Sequence, residues 1–223
     1  MATLYIVGTP IGNLKDISLR ALETLKGVDL ILCEDTRVTK RLLEQYDIKT
    51  PTLSYHQHSK LKKIEYIVQL LRDGKNLALV SDAGTPGISD PGNKLIDFAI
   101  RQLNDLTVVP LPGPSALVAV ASISGFPMDK FVFMGFPPHK KKRKKFFEEA
   151  ASSKYPVIFY ESPYRILKTL NELRSINKEL RIVVARELTK KFETIYRGTT
   201  DDIIEKIKKD ESRGEFAVIV EKR

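Results

Sequence analysis

The sequence lacks the features that would place the protein in a membrane or outside the cell. It contains a single cysteine among 223 residues, so no disulfide can form within the chain. Its apolar runs fall far short of the about 20 residues that a membrane-spanning helix needs. The first residues, MATLYIVG, lack the basic region, the long apolar run and the small-residue cleavage site of a signal peptide. We therefore expect a cytoplasmic protein in which Cys33, within the apolar run LILC, is a buried thiol.

Two familiar phosphate-binding signatures are also missing. The chain contains no G-x-x-x-x-G-K-[ST] segment, and its first glycine-containing loop, GTPIGNLKD, departs from G-x-G-x-x-G. The segment SDAGTPGISDPG at 81–92 is rich in glycine and carries Asp82 and Asp90 but no basic residue. Carboxylates repel phosphate, whereas they attract ammonium or sulfonium groups and accept hydrogen bonds from hydroxyls. The segment therefore favours a ligand such as S-adenosylmethionine, a sugar or an amino acid.

The two aspartates of this segment are expected to play different parts. Asp90 stands directly before Pro91, and an aspartate followed by proline is typical of a helix N-cap with proline at the first helical position. Asp82 precedes no such helix start. We predict that Asp90 caps a helix and that Asp82 is the better candidate for ligand contact.

Basic residues outnumber acidic ones, and the excess is locally concentrated. The chain has 37 lysines and arginines against 28 aspartates and glutamates, a formal charge of +9, which favours encounter with polyanions such as nucleic acid. The segment HKKKRKK at 139–145 follows Pro137 and Pro138 and precedes Phe146 and Phe147. It is either a solvated helix start or a loop that leads into an anchored helix and presents its charges at a fixed place.

Short apolar runs alternate with longer segments of helical period, which is the pattern of an α/β protein. Strands are predicted at LYIVG, LILCED, TLSYH, LALVSD, TVVPL, FVFMGF, VIFYES, RIVVARE, FETIYRG and EFAVIVEK. Helices are predicted from the cap Ser18 to Gly27, from the cap Ser59 to Gly74, after SDPG, within 111–125, after the lysine run, at about 164–176 and at about 201–209. The helix within 111–125 is small and apolar, so we expect it to be buried. Two α/β domains are predicted, 1–113 and 114–223.

Glycine, proline and polar residues gather where the predicted strands end. In an open α/β sheet, ligands lie beyond the carboxyl ends of the strands. The segments at these ends are GTPIGN, EDTR, SDAGTPGISDPG, PGPS, GFPP, YESP and RELTK. Turn chemistry explains part of this composition, and we predict that a ligand site explains the rest.

As a set, GTPIGNLKD, EDTR, SDAGTPGISDPG, LPGPSA, FMGFPP, YESPYR, RELTKKFE and RGEF closely resemble the ribosomal RNA small-subunit methyltransferase I family, a branch of the tetrapyrrole methylase superfamily. The similarity covers nearly the whole chain. It implies two α/β lobes of the tetrapyrrole methylase type, with S-adenosylmethionine in the cleft between them, and a homodimer. It also implies 2'-O-methylation of a cytidine ribose in the decoding region of 16S rRNA, presented as free RNA or in the small ribosomal subunit.

The resemblance further implies which residues contact the cofactor. They come from the loops after the first, fourth and fifth strands and from the second domain. The implied cofactor contacts are Pro10, Asp82, Ala83, Gly84, Thr85, Ser115, Ala116, Tyr160, Ala185 and Gly214. Many members of the family continue into a small C-terminal extension beyond the strand EFAVIVEK. If that extension helps to bind RNA, the basic segment or the partner subunit is expected to take over its part here.

A ribose hydroxyl is weakly acidic, so a positioned general base would speed methyl transfer by about 10² to 10⁴. Four residues are candidates for catalysis, and for each a helix cap or a surface ion pair is the alternative: Glu34, Asp35, Glu187 and Lys190. Contacts between basic residues and RNA phosphates should make binding salt-dependent. The predicted RNA contacts are Arg37, Lys140, Lys141, Lys142, Arg143, Lys144, Lys145, Arg165 and Lys190.

No metal is predicted, because His56 and His58 have no further ligand residues of the usual kind nearby. Three functions are weighed for the chain. The first is the RNA ribose methyltransferase, the second a small-molecule methylase of the same superfamily acting on a tetrapyrrole, and the third an RNA-binding module without catalysis. The loops EDTR and SDAGTPGISDPG and the basic run favour the first.

Overall fold

The computed structural model describes residues 2–56, 59–210 and 213–222. The chain divides into two compact units, Met1–Ser115 and Ala116–Arg223. The boundary lies two residues after the one predicted from the sequence. Each unit contains its own five-stranded sheet.

The sheet of the first unit is parallel throughout. Its strands are β1 (Thr3–Val7), β2 (Leu30–Cys33), β3 (Thr52–Ser54), β4 (Leu77–Val80) and β5 (Thr107–Leu111), in the order β3-β2-β4-β1-β5. Leu77 of β4 is paired with Leu4 on one side and Leu30 on the other. All four residues of β4 are buried, as expected for a central strand covered on both faces.

Helices cover both faces of this sheet. They are α1 (Leu19–Gly27), α2 (Thr36–Gln45), α3 (Leu61–Arg72) and α4 (Asn93–Gln102), and a 3-10 turn spans Leu14–Asp16. Side chains of β4 alternate between two hydrophobic clusters: Ala78 and Val80 pack with α1 and α2, and Leu77 and Leu79 pack with α3 and α4. The predicted alternation of strand and helix is therefore confirmed in this unit, and Cys33 is buried as predicted.

Several predicted details of the first unit are wrong. Helix α2 was not predicted, and Ser59 does not cap α3, whose N-cap is Lys60. The Ser59 hydroxyl instead accepts a hydrogen bond from the backbone N–H of His56 at 2.8 Å. Asp90 does not cap α4 either, because that helix begins at Asn93 after Gly92, whose φ of 150° only glycine adopts readily.

The sheet of the second unit is mixed. Its strands are β6 (Val132–Phe133), β7 (Val157–Glu161), β8 (Arg181–Arg186), β9 (Thr194–Gly198) and β10 (Phe216–Glu221), in the order β6-β7-β10-β8-β9. Only β6 and β7 are paired in parallel, and the other pairings are antiparallel. The predicted strands are all present among the described residues.

Three helices of the second unit bury its main core. They are α6 (Arg143–Ser152), α7 (Ile166–Ile176) and α8 (Thr200–Lys209), and their apolar faces pack with alternate residues of β7, β8 and β10. The short helix α5 (Ala116–Ser122) lies against β7 and β10. Burial of the whole of α5 was predicted wrongly: Val120 is buried but Val118 is 61% exposed, because α5 packs against the sheet with one side only.

Within the part of the chain that is described, no helix combines the length and apolarity required to span a bilayer.

Candidate functional site

Three loops of the first unit meet at the carboxyl ends of β1, β4 and β5. The backbone N–H of Thr9 donates to the carbonyl of Gly84 at 2.9 Å, and the N–H of Gly84 donates back to Thr9 at 3.1 Å. The Thr9 hydroxyl also donates to the carbonyl of Ser81 at 2.9 Å. The hydroxyl of Thr85 donates to the carbonyl of Pro114 at 3.3 Å. The loops GTPIGN, SDAGTPGISDPG and PGPS thus form one connected structure.

Glycine residues allow the backbones of these loops to lie in close contact. A Cβ placed on Gly113 would lie 2.8 Å from the carbonyl oxygen of Gly8, and one on Gly8 would lie 2.9 Å from the Cα of Gly113. Gly84 has a φ of +86°, a conformation that other residues adopt only with strain. The backbones of these loops therefore contact each other directly, without side chains between them.

The predicted cofactor contacts of the first unit lie on these three loops. Pro10 and Gly84 are buried, Asp82, Thr85 and Ser115 are half-buried, and Ala83 is exposed. Asp82 has a structural part that the sequence did not reveal, because its Oδ1 accepts a hydrogen bond from the backbone N–H of Asp35 at 3.0 Å. Asp82 thereby links the loop after β4 to the loop after β2.

A cavity of about 420 Å³ opens beside this structure. Its lining residues are Glu34, Gly87, Ser89, Asp90, Pro91 and Asn93. Burial raises the pKa of Asp90 to about 6; the hydroxyl of Ser81 lowers the pKa, and the carboxyl groups of Glu34 and Asp82 raise it. Asp90 therefore changes charge at about pH 6. Sequence reasoning assigned Asp90 to a helix cap and missed this property, which depends on burial by the loop and on neighbours distant in sequence.

Asp35 has a structural role. It is the N-cap of α2, and its Oδ1 accepts from the N–H of Arg37 at 2.8 Å. Its Oδ2 also lies 2.6 Å from Nη2 of Arg37. These hydrogen bonds from the Arg37 side chain and backbone lower the pKa of Asp35 to about 2, so Asp35 is a poor proton acceptor near neutral pH. The signal for the cap was present in EDTR, since aspartate is a favoured N-cap.

The predicted cofactor contacts of the second unit are spread along one sheet and its borders. Ala217 of β10 pairs with Tyr160 on one side and Ala185 on the other, so the three residues form a row across the sheet. The hydroxyl of Tyr160 accepts a hydrogen bond from the N–H of Leu117 at 3.1 Å, next to Ala116 at the start of α5. Gly214, with φ of +107°, lies just before β10.

Glu187 and Lys190 form an ion pair in the loop between β8 and β9. Nζ of Lys190 lies 3.1 Å from Oε1 of Glu187 and 2.8 Å from Oε2 of Glu215. Burial alone would raise the pKa of Glu187 and lower that of Lys190. The hydrogen bonds that Glu187 accepts from the Glu215 backbone and from Lys190 outweigh burial for Glu187, and those that Lys190 donates to Glu215 and Glu187 outweigh it for Lys190. Both groups therefore stay charged, and neither is suited to accept a proton near neutral pH.

The same loop is conformationally strained around Gly214. Glu187 and Thr189 have φ of 51° and 64°, in the left-handed region that non-glycine residues seldom occupy. A Cβ on Gly214 would lie 2.5 Å from Cγ of Glu187. Position 214 therefore requires glycine to leave room for the Glu187 side chain, whether or not it contacts a ligand.

The basic run contains two different kinds of residue. Lys140, Lys141, Lys142, Lys144 and Lys145 are exposed. Arg143 is only 4% exposed, and its guanidinium donates to Glu172 at 2.9 Å, to Thr169 at 2.6 Å and to the carbonyl of Pro138 at 3.2 Å. The prediction that Arg143 contacts RNA is wrong, because its nitrogens are engaged inside the unit.

Arg165 is likewise held within the unit. Its Nη2 lies 2.8 Å from Oε1 of Glu161, and it donates to the hydroxyl of Ser162 and to the carbonyl of Pro137. Its side chain is 17% exposed, which leaves little of it for a phosphate. Arg37, in contrast, is exposed and stays a predicted RNA contact.

Comparison with known proteins identifies the family. The family model of Tetrapyrrole (Corrin/Porphyrin) Methylases matches residues 3–204.

The chain belongs to this family.

Two similar relatives carry the same name. A protein of Thermotoga maritima called Ribosomal RNA small subunit methyltransferase I is 44% identical over 220 residues, which cover 99% of this chain and 98% of the relative. A protein of Bacillus subtilis with the same name is 46% identical over 224 residues, covering 99% of this chain and 75% of the relative.

Solved structures show the methylase fold. A cobalamin biosynthetic enzyme, cobalt precorrin-4 methyltransferase CbiF, superposes with a TM-score of 0.71 at 19% identity, over 98% of this chain and 94% of that one. The methyltransferase CobJ superposes with a TM-score of 0.69 at 18% identity. The α/β fold of the tetrapyrrole methylase type, predicted from the sequence, is confirmed by these matches.

Among the described residues there is no cluster of three or more His, Cys, Asp or Glu side chains that could hold a metal ion. Of the pair His56 and His58, His58 lies outside the described residues. Of the predicted catalytic candidates, only Glu34 lines the cavity that contains Asp90.

Proposed function

We propose that this methylase transfers the methyl group of S-adenosylmethionine to the ribose 2'-hydroxyl of a cytidine in the decoding region of 16S rRNA, and that it acts as a homodimer. The observation that carries the proposal is that relatives named Ribosomal RNA small subunit methyltransferase I match 99% of this chain, at 44% and 46% identity. The two units would be the N-terminal and C-terminal domains of this enzyme.

The loops of the first unit fit S-adenosylmethionine. Gly8, Gly84 and Gly113 allow these loops to pack closely, which would hold their contact residues in place. Asp82 adds a carboxylate, which favours a ligand with a sulfonium and an α-amino group. Pro10, Ala83, Thr85 and Ser115 would complete the contacts from these loops. When bound, the cofactor supplies an electrophilic methyl group, and the protein aligns the nucleophile with it.

Asp90 is the residue that we propose as general base. A base is most effective when its pKa lies near the working pH, and burial brings the pKa of Asp90 to about 6. Asp90 lines a cavity at the carboxyl end of the sheet, beside the loop that holds Asp82. As the oxygen attacks the methyl carbon, the proton of the ribose hydroxyl would pass to the Asp90 carboxylate, and the electron pair of the carbon–sulfur bond would leave with the sulfur.

Exposed lysines support an RNA substrate. Five of them lie at 140–142 and 144–145, on or next to one anchored loop of the second unit. A small tetrapyrrole would need fewer positive charges, although its acidic side chains would also be attracted. Positive charge alone therefore does not distinguish RNA from a tetrapyrrole as the substrate, and an assay with both substrates does.

The decisive assay offers labelled S-adenosylmethionine with three acceptors: small ribosomal subunits from a strain that lacks this modification, protein-free 16S rRNA, and a tetrapyrrole carboxylate. We expect incorporation into one or both RNA substrates and none into the tetrapyrrole. Incorporation into the tetrapyrrole alone would establish the small-molecule methylase. Cofactor and RNA binding without any incorporation would indicate a non-catalytic RNA-binding protein.

A further inference from the structure

Two exposed aromatic side chains lie at the carboxyl ends of adjacent strands in the second unit. Tyr164 is 96% exposed and Phe136 is 54% exposed. Strands β6 and β7 are parallel neighbours, with Val132 paired to Val157. Phe136 follows the last residue of β6 by three positions, and Tyr164 follows the last residue of β7 by three positions. Both rings are therefore carried on loops that leave the same edge of the sheet.

A buried carboxylate fixes these two loops relative to each other. The side chain of Glu161, at the end of β7, has no solvent exposure and pairs with both Arg143 and Arg165. It also accepts from the Thr169 hydroxyl at 2.6 Å and from the N–H of Ser162 at 2.8 Å. A buried charge is tolerated only when its hydrogen bonds are satisfied, so Glu161 holds both arginines in place.

Each arginine in turn holds the loop after β6. Arg165 donates to the carbonyl of Pro137 and Arg143 to that of Pro138, both at 3.2 Å. Phe136 directly precedes these prolines, and Tyr164 directly precedes Arg165. The ring of Phe136 also rests against that of Tyr160, with centroids 5.4 Å apart. The loops that carry the two exposed rings are thus held together by Glu161, Arg143 and Arg165.

Three lysines lie on the loop after β6, close in sequence to these contacts. Lys140, Lys141 and Lys142 lie on the short segment between Pro138 and Arg143, the two partners of one hydrogen bond. Lys142 has a left-handed backbone with φ of 65°, so the segment is a tight turn and not the start of a regular helix. Three exposed ammonium groups are therefore carried on the loop that also carries Phe136.

We propose that Phe136 and Tyr164 form a stacking platform for unpaired nucleobases of the RNA, with Lys140, Lys141 and Lys142 binding the adjoining phosphates. This rests on the proposed function for the nature of the substrate. Base stacking on aromatic side chains together with a basic surface is how proteins bind single-stranded RNA. Aromatic rings suit this task because they lose little conformational entropy on binding. A continuous duplex would present no free base face, so the platform selects a loop, bulge or melted strand.

Tyr164→Trp tests the platform directly. The chain contains no tryptophan, so this variant carries a single tryptophan at the proposed contact. We expect quenching of its emission by a single-stranded oligonucleotide of the decoding region, weaker quenching by the same sequence in a duplex, and none by heparin. Equal responses to heparin and to single-stranded RNA would overturn the proposal, because they would show that only charge is sensed.

Alanine variants measure the contribution of stacking to affinity. Tyr164→Ala should weaken binding of the single-stranded oligonucleotide about 5-fold to 150-fold, the effect of losing one stacked base. The slope of affinity against salt should not change, since no charge is removed. Tyr164→Phe should bind like the unsubstituted protein. Tyr66→Ala is the matched control, because Tyr66 is a 55% exposed tyrosine on α3 of the other unit.

Unchanged RNA affinity in Tyr164→Ala would also contradict the platform. If this variant in addition self-associates more weakly in sedimentation, Tyr164 belongs to a contact between copies of the chain. Failure of the platform is distinguishable from failure of the proposed function, because the first leaves methyl incorporation into rRNA intact, whereas the second abolishes incorporation and leaves quenching of Tyr164→Trp by RNA.

Discussion

Asp90 illustrates how a single side chain can link stability to function. Its carboxyl lies in a half-buried position where burial raises its pKa to about 6, above the ordinary value of 3.8. The folded protein therefore binds the Asp90 proton more tightly than the unfolded chain does. In this situation stability is highest at low pH, where both states are protonated, and is lost as pH rises from about 4 through about 6.

The first prediction concerns stability. Asp90→Asn removes the carboxylate that the fold disfavours, so this variant should unfold at higher urea concentration than the unsubstituted protein at pH 7.5. We expect a difference in the free energy of unfolding on the order of 1 kcal/mol, below the full conversion of the pKa shift because the site is partly open to solvent. At pH 4 the difference should vanish. Asp105→Asn, at an exposed position, is the control and should change the free energy of unfolding at pH 7.5 by no more than about 0.5 kcal/mol.

The second prediction concerns catalysis by the same residue. Without a carboxylate to accept the ribose proton, Asp90→Asn should turn over about 10² to 10⁴ times more slowly. Binding of S-adenosylmethionine, measured by calorimetry, should change little. The rate of the unsubstituted enzyme should rise as pH increases through about 6, and this rise should be absent in the variant. A variant that is both more stable and fully active would exclude Asp90 as the base.

At the scale of elements, the loops after β1 and β5 depend on close backbone contact. Gly8 and Gly113 meet with no space for a side chain on either, whereas Gly27 in the last turn of α1 has no atom within 4 Å of its would-be Cβ. The two kinds of glycine should therefore respond in opposite ways to the same substitution.

Gly113→Ala should destabilise the protein by about 1–3 kcal/mol, because the methyl group forces the two loops apart. It should also weaken binding of S-adenosylmethionine. Gly27→Ala should stabilise the protein by about 0.5–1 kcal/mol, since alanine favours the helix and meets no obstacle. Thermal unfolding and calorimetry of the two variants measure these effects, and unchanged cofactor binding in Gly113→Ala would remove this pair of loops from the proposed site.

Elements of the second unit are joined by the buried pair of Arg143 and Glu161. Arg143→Gln should cost about 3–5 kcal/mol, because it leaves a buried carboxylate short of a partner. Lys141→Gln, two residues away and exposed, should change the free energy of unfolding by no more than about 0.5 kcal/mol. Chemical unfolding of both variants checks this prediction, and similar values for the two would mean that Arg143 is not an anchor.

Elements that local sequence patterns determine could be predicted, whereas those that depend on residues distant in the sequence could not. Strands such as LALV were predictable because burial on both faces leaves an unbroken apolar run. Helix α2 was missed because TRVTKRLLEQ is mostly polar, with its buried face reduced to Thr39, Leu42 and Leu43. Asp90 was assigned to a cap because local pattern favours it, but Gly92 redirects the chain before α4 begins.

The positions of the site loops could be predicted from the sequence, but the contacts of individual side chains could not. Loops at the carboxyl ends of strands follow from the α/β pattern, and the hydrogen bonds between the loops of the first unit confirm that three of them meet. Arg143 could not be told from its lysine neighbours, since its partners Glu161, Thr169 and Glu172 lie 18 or more residues away. Pairing across such separations depends on tertiary packing, for which a local pattern carries no signal.

At the scale of the whole molecule, the net charge of +9 should make RNA binding strongly dependent on salt. The triple variant Lys140→Gln, Lys141→Gln, Lys142→Gln should flatten the plot of log affinity against log salt by about 0.7 for each phosphate that these lysines neutralise. The triple variant Lys206→Gln, Lys208→Gln, Lys209→Gln removes three exposed lysines from α8 and is the charge-matched control. Equal changes in slope would show that net charge, and not the position of the lysines, governs RNA binding.

The activity proposed for the whole enzyme is tested by where the methyl group arrives on the RNA. Small ribosomal subunits from an unmodified strain are incubated with the protein and S-adenosylmethionine, the 16S rRNA is digested, and its nucleosides and fragments are analysed by mass spectrometry. We predict a new 2'-O-methylcytidine in a fragment of the decoding region, formed only when protein and cofactor are both present. A methyl group on a base, on another nucleoside or in no fragment at all would contradict the proposed function.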